Sequence, residues 1–475
     1  MMMQQTAHAC AVDAGIQPAK LADLDALVVV NSVGPALLTN PPAELAARLG
    51  AGHCRQYHTV TGGNTPQMLV NHFCAEIARG KVDMVLLSGA EALDSLARAR
   101  KNGVELHWEA ETTARPPVTL GDDRPGSNAQ ELAHGMLAPI LTYPLFENAL
   151  RSHYGIAVAE HQRSLGQLLA PFTTVARDNP YAWFPKQRSA GEISRMTAEN
   201  RYVGFPYTKY MNAVMQVNQS ASVLLTSDVR ARALGIDRSR WVYLHGYADM
   251  NDIWNVTERI NFHSSPAIER GLASALEMAR TSVDEVDHLD VYSCFPAVLE
   301  ITRDALGMRD HDPRLLTVTG GLPYFGGAGN NYSMHAIATM MDRLRQAPGQ
   351  RGLVTANGWY LTKHAIGIYS TSSPEVAFEP PDSTAASRQI SSMAHPQLDP
   401  VPSGPGTVET YTVMFGRDGE PAQGLVLGQL DSGRRFVALT PDDRELLNAL
   451  TRDDPIGRRG RVDPGKPTNH FAFDQ

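Results

Sequence analysis

The sequence predicts an α/β protein of two similar halves, with parallel strands joined by crossover helices. Three observations carry that prediction. Short, almost wholly apolar runs such as "ALVVV" (26–30) read as strands buried on both faces. Stretches with helical spacing separate them. The rhythm stops near residue 100 and restarts near residue 240, which suggests an internal duplication. At 475 residues the chain is too long for one core, so several domains are expected.

A helix is expected over 5–14, where Ala, Cys and Val share a face. Strand 26–30 follows, then a helix over 43–49. "TVTGGNTPQM" (59–68) is a loop-to-helix junction, with Gly62 and Gly63 just before a helix over 66–79. A strand over 83–88 closes the unit. Residues 101–200 differ, with the Pro- and Gly-containing "ARPPVTLGDDRPGS" and "NPYAWFP" between helical patterns. They read as a large insertion, about 101–215, that covers or shapes a ligand site. "SASVLLTSDVRARALG" (220–235) returns to strand and helix and completes a first half, 1–239.

The second half, 240–371, runs strand 240–248, helix 266–280 with Pro266 in its first turn, strand into loop 286–295, and helix 296–307. A glycine-rich loop and helix (317–346) and two short strands around a turn (352–371) complete it. Pro-, Ser- and Ala-rich residues 372–406 read as a linker. Strand-like runs with glycine turns over 407–475 predict a small β-rich appended domain with little core of its own.

Composition excludes several classes. The formal charge of −8 offers no basic footprint for nucleic acid. No apolar run nears the roughly 18 residues that cross a bilayer. The first residues lack the basic-then-apolar pattern of a signal peptide. Cys10, Cys54, Cys74 and Cys294 fit neither a disulfide framework nor a zinc site. Free thiols imply a reducing compartment, so a cytoplasmic protein is expected.

Four stretches then line up in order. "GGNTPQMLVNHFCAEIARGKVDMVLLSGAEAL" resembles the segment in which thiolases carry their nucleophilic cysteine. "LDVYSCFPAVLEI" resembles their Asn-Glu-Ala-Phe loop, or the His-Asp-Cys-Phe variant of the sterol-carrier-protein type. "TVTGGLPYFGGAGNNYSMHAI" resembles their Gly-His-Pro loop, and "TANGWYLTKHAIG" their last Cys-x-Gly loop. Order and spacing agree over 5–371. "YPLFENALR", "NPYAWFP", "PYTKYMNAVMQVNQSASVLL" and the tail "GLVLGQLDSGRRFVALTPDD" are similar to type 1 thiolase-like proteins, which carry an appended C-terminal domain. The resemblance implies a duplicated thiolase fold of five αβαβα layers, an inserted loop domain and a small C-terminal β-rich domain. In one respect the chain departs from it. Thiolases open with a strand before the first helix, whereas this sequence starts almost at that helix, so a central strand is expected to be absent or replaced.

Thiolase chemistry makes or breaks a C–C bond beside a thioester. It uses a low-pKa cysteine at a helix start, a second cysteine that moves the α-proton, and a histidine with an Asn-held water at the enolate oxygen. Carried over by resemblance, the nucleophile falls on Gly62 or Gly63 and the histidine on Gly327. The Asn or His of the next loop falls on Tyr292, with Ser293 as its neighbour, and the last cysteine on Ala356 or Asn357. The resemblance thus implies that the standard Cys/His/Cys set is replaced. The candidates for catalysis are Cys294, Tyr292, Asn357 and His364; those for binding a thioester through backbone N–H groups at a helix start are Gly62, Gly63, Gly327 and Gly358.

Each has a plain structural alternative. Cys294 and Cys74 are ordinary buried cysteines in many folds. His335 and His364 serve equally as satisfied core histidines, Tyr292 and Tyr324 as space fillers, and Asn357 as a turn residue. Lys186, Arg188 and Lys209 are candidates for CoA phosphates or plain surface charge. Three functions remain open: an acyltransferase of the acetyl-CoA C-acyltransferase class with a non-standard site, in lipid metabolism; a non-catalytic binder of acyl-CoA, CoA or a related lipid; or a scaffold for a partner enzyme. No metal or further cofactor is implied, and a monomer is expected.

Overall fold

The computed structural model describes residues 1–34, 40–106, 117–308, 312–375 and 378–474. Part of the expected insertion (107–116) and of the expected linker (376–377) lies outside the described residues.

The first half is built around strands β1 (Ala26–Val29), β2 (Arg55–Thr59), β3 (Met84–Ala92) and β4 (Val118–Leu120). β1 is buried along its whole length and pairs in parallel with both β2 and β3. An apolar strand of this kind belongs at the middle of a covered sheet. Helix Pro41–Leu49 joins β1 to β2; Asn40 caps its start by accepting from Ala43 N–H, and Gly50 ends it at φ 72°. Helix Thr65–Ala78 joins β2 to β3. The insertion contributes helices Pro139–Tyr154 and Val158–Asp178 and the short strands β5 (Tyr202–Gly204) and β6 (Tyr207–Thr208). The chain then returns as β7 (Asn218–Thr226), antiparallel to β3, giving the order β4-β2-β1-β3-β7. As expected, the described chain opens on helix Met2–Asp13 with no strand before it, but the strand it lacks is not central. Its counterpart in the second half, Tyr243–Asn251, lies at a sheet edge, and in the first half β1 pairs on both sides and the centre is continuous. The opening helix, Met2–Asp13, packs beside β7, with the Thr6 hydroxyl within 3.0 Å of Ser220 Oγ and 2.9 Å of Ser222 Oγ.

The second half repeats the plan with β8 (Tyr243–Asn251), β9 (His288–Asp290), β10 (Arg351–Gly358) and β11 (Lys363–Ser370), in the order β8-β11-β10-β9. Helices Thr65–Ala78 and Tyr332–Gln346 pack together and touch both sheets, so they form the central layer. Outer helices cover the remaining faces, including Met2–Asp13 and Pro41–Leu49 on the first half and Pro266–Met278 on the second. The result is five layers, αβαβα.

The remaining strands are β12 (Gly404–Phe415), β13 (Pro421–Leu430), β14 (Arg435–Leu439), β15 (Arg459–Asp463) and β16 (His470–Phe473). The order is β13-β14-β16-β15-β12, and β12 pairs back onto β13, which closes a barrel-like sheet. The insertion's β5 and β6 extend it from β12. This unit has its own core, with Phe205, Val408, Tyr411, Phe436 and Phe471 fully or almost fully buried, more than its length suggested. The expected linker also holds a helix, Ser383–Ser391, packed on β8. Arg435 bolts barrel to body: fully buried, it donates to Glu409 at 2.7 and 2.8 Å and to the carbonyls of Thr257 and Arg259 at 3.2 and 2.6 Å. Among the described residues, no helix is long and apolar enough to cross a membrane.

Candidate functional site

Three loops meet the start of the central helix Thr65–Ala78. They are the end of β9 with Tyr292–Cys294, the glycine-rich loop before helix Tyr332–Gln346, and the β10–β11 hairpin with Asn357, Gly358 and Lys363. Gly62 N–H donates to Asn330 Oδ1 at 2.9 Å, and Gly63 C=O accepts from Ser333 Oγ at 2.8 Å. The backbone around the junction is therefore tied to the second half.

The glycines sit against occupied space. A Cβ on Gly63 would lie 2.1 Å from Tyr292 Oη and 2.6 Å from Asn357 O. One on Gly62 would lie 2.4 Å from Asn64 Oδ1 and 3.0 Å from Lys363 Nζ, and one on Gly358 2.4 Å from the same Asn64 oxygen. No larger residue fits at Gly63 without moving backbone. Asn64 Oδ1 is buried without a hydrogen-bond partner. Gly327 stands apart from these contacts, its N–H donating to Val214 O at 2.9 Å.

Beside the glycines is a polar cluster. Asn357 Nδ2 donates to Tyr143 Oη at 2.7 Å and to Cys294 Sγ at 3.8 Å. Tyr143, from the insertion, donates to Trp359 O at 2.8 Å and stacks on Phe295 with ring centroids 4.4 Å apart. Burial pushes the Cys294 thiol up to about 12, against the weaker pull of Tyr143 and Asn357. It is a neutral thiol at physiological pH, not an activated thiolate. Burial raises the Tyr292 phenol as well. His364 faces Asn357 across the hairpin, and its Nε2–H donates to Leu361 O at 3.0 Å. Burial pulls its pKa down to about 4, so the ring is neutral. Asn357, His364 and Ala356 line a void of about 10 Å³ with Val298, Thr302 and Ile366, room for about one water.

The structure thus gathers Tyr292, Cys294, Asn357, Gly62, Gly63 and Gly358 into one locus, with His364 at its edge and Gly327 outside it. His335 is buried against Phe325 with its Nε2 unpartnered and its pKa pulled to about 4 by burial. Lys186 and Lys209 are exposed, and Arg188 lies over the Tyr210 ring at 3.8 Å.

Sequence reasoning missed Lys363, Tyr143, Asn64 and Asn330. Lys363 is 3% exposed. Its Nζ donates to Thr61 O at 2.6 Å and Asp122 O at 3.2 Å, and burial lowers its pKa to about 8. A lysine in "TKHAIG" carries no local sign of burial. Tyr143 sits in "YPLFENALR", a stretch quoted only as a family marker.

This topology and site define a protein of the thiolase fold. Among solved structures, human mitochondrial 3-ketoacyl-CoA thiolase shares it at TM-score 0.55 and 13% identity, over 78% of this chain and 92% of that one. The Ltp2–ChsH2(DUF35) aldolase shares it at TM-score 0.57 and 17% identity, over 78% and 93%. A monomeric SCP2-thiolase-like protein type 1 from Mycobacterium smegmatis matches at TM-score 0.87 and 34% identity, over 100% of this chain and 94% of that one. Residues 387–466 match the model of the thiolase-like protein type 1 additional C-terminal domain. The chain belongs to the SCP2-thiolase-like proteins of type 1. A search of curated protein sequences found no match.

Proposed function

We propose that this protein binds acyl-CoA thioesters, or a closely related lipid thioester, without covalent acyl transfer. One observation carries the absence of covalent transfer: Tyr292 Oη and Asn357 O fill the space where a side chain on Gly63 would stand. By resemblance, Gly62 or Gly63 holds the position of the acyl-accepting cysteine. With glycine there, the helix start keeps its partial positive charge but has no nucleophile. Cys294 does not substitute for it, because its buried thiol stays protonated. His364 is neutral and engaged with Leu361 O. The family and its fold support a CoA thioester as the ligand class.

Calorimetry with CoA and acetoacetyl-CoA, run beside a thiolysis assay, tests this. Saturable binding with no turnover is expected. Thiolysis lost in Cys294→Ala would restore the acyltransferase reading, and a flat trace with both ligands would remove the binding reading.

A second reading, a scaffold for a partner enzyme, is favoured by the filled pocket itself. The Ltp2–ChsH2(DUF35) aldolase pairs a chain of this fold with a DUF35 protein. A stable complex in pull-downs, together with that flat trace, would select it. Like the M. smegmatis relative described as monomeric, the chain is proposed to be a monomer. Sedimentation at twice the chain mass would refute that.

A further inference from the structure

Away from the glycine locus, three helices bury an unusual set of side chains between them. Glu147 lies on Pro139–Tyr154, His161 on Val158–Asp178 and Glu300 on Pro296–Ala305. They are 0, 1 and 5% exposed. His161 Nε2 lies 2.5 Å from Glu147 Oε1, and Tyr207 Oη donates to Glu147 Oε2 at 2.6 Å. One donor atom from each of Glu147, His161 and Glu300 lies within 4.8 Å of the other two.

The charges here are not matched. Arg151 pairs with Asp454 at 2.5 Å, and Arg303 lies 3.4 Å from Asp304. Among the described residues, no arginine or lysine forms an ion pair with Glu147 or Glu300. Glu300 Oε2 and His161 Nδ1 are buried and find no hydrogen-bond partner outside the cluster; Glu147 and Glu300 share a hydrogen bond only when one of them carries a proton. Two carboxyl groups facing each other in a dry interface cost several kcal/mol if ionised and uncompensated. Apolar side chains would pack these helices more cheaply.

We infer that Glu147, His161 and Glu300 form a binding site for a divalent transition-metal cation, with Tyr207 holding Glu147 in place from behind. A charge of +2 matches two carboxylates. One imidazole with carboxylate oxygens suits Zn²⁺, Fe²⁺, Co²⁺ or Mn²⁺, whereas Ca²⁺ takes about six to eight oxygens. Glu300 is then held by the ion rather than by a proton shared with Glu147. Ligand atoms at ~2.1 Å from a tetrahedral cation stand about 3.4 Å apart, so the His161–Glu147 contact opens by roughly 1 Å and the wider spacings contract. The Tyr207 hydroxyl is the kind of outer partner that orients a ligating carboxylate. Two of the helices belong to the insertion and the third to the second half, so the ion staples one to the other. Without a cation, burial raises both carboxyls, with their mutual repulsion adding to Glu300.

The test uses the full chain, purified without metal-affinity resin. Metal is measured by inductively coupled plasma mass spectrometry, as isolated and after chelator treatment followed by Co²⁺. About one equivalent is expected, with visible Co²⁺ d–d bands, falling at least roughly tenfold in Glu300→Gln and His161→Gln. A melting temperature higher in Zn²⁺ than in chelator is expected for wild type alone. Wild-type protein with no metal and no Co²⁺ bands overturns the site, even where the variants fail to fold. Equal metal in both folded variants overturns it too, as adventitious binding. Glu300→Gln that melts higher in both Zn²⁺ and chelator would show a proton-sharing carboxyl pair instead.

Discussion

Gly63 has no room for a side chain because Tyr292 Oη and Asn357 O stand where its Cβ would be. Gly63→Ala is expected to destabilise the fold by about 1–3 kcal/mol, as overpacking does. Adding Tyr292→Phe removes the nearer of the two obstructing atoms but not the carbonyl. The pair is expected to be non-additive by about 1 kcal/mol in a double-mutant cycle read by denaturant unfolding. Additivity would mean that the backbone, not Tyr292, sets the limit. Cys294 gives a second expectation. Its buried thiol, pushed up to about 12, should resist iodoacetamide at pH 8 in native protein and label only after denaturation, as read by peptide mass spectrometry. Rapid native labelling would show an activated thiolate. At this scale the sequence displayed the glycines and Cys294, but not their neighbours. Tyr143 reaches the locus from a position far away in the chain, and Lys363, in the same hairpin as Asn357, carries no local sign that it is buried, so local pattern could not nominate them.

Asp290 shows how an element's end is held. At the end of β9 its Oδ2 accepts from Thr317 Oγ1 at 3.0 Å, Val318 N–H at 2.9 Å, and Thr319 N–H and Oγ1 at 3.2 Å each. These bonds fix the glycine-rich loop against the strand. Burial outweighs them and lifts the carboxyl to about 6. The unfolded chain releases that proton near 3.9. Between these values the native state binds more protons than the unfolded one, so stability falls as pH rises from about 4 to 6, by an order of 2–3 kcal/mol from this group. Denaturant unfolding at several pH values should show this fall in wild type and a flatter profile in Asp290→Asn. Identical profiles would remove Asp290 as the source. Most elements were legible from period and caps. Helices 43–49 and 66–79 match elements Pro41–Leu49 and Thr65–Ala78 to within two residues at each end, and strand 83–88 falls on Met84–Ala92, which runs four residues further. The helix Ser383–Ser391 was not read, because its Ser- and Ala-rich composition also fits a linker.

Across the whole molecule, one arginine ties the barrel to the body. Arg435→Met leaves Glu409 and two buried carbonyls without their donor. A loss of about 3–5 kcal/mol is expected. Limited proteolysis should then release the barrel region before the body is cut, whereas cleavage as in wild type would argue against the tie. By itself, the sequence determined the duplicated α/β plan, the appended β-rich region and the family, because periodicity and ordered loop motifs are written along the chain. It also placed glycine at the junction before the central helix. Only the tertiary structure decided what that glycine faces, that the first sheet is continuous at its centre, and that the barrel closes on a core of its own. It alone brought Glu147, His161 and Glu300 together. Each of these depends on residues distant in sequence meeting in space, and no local spacing encodes which side chains will share a volume.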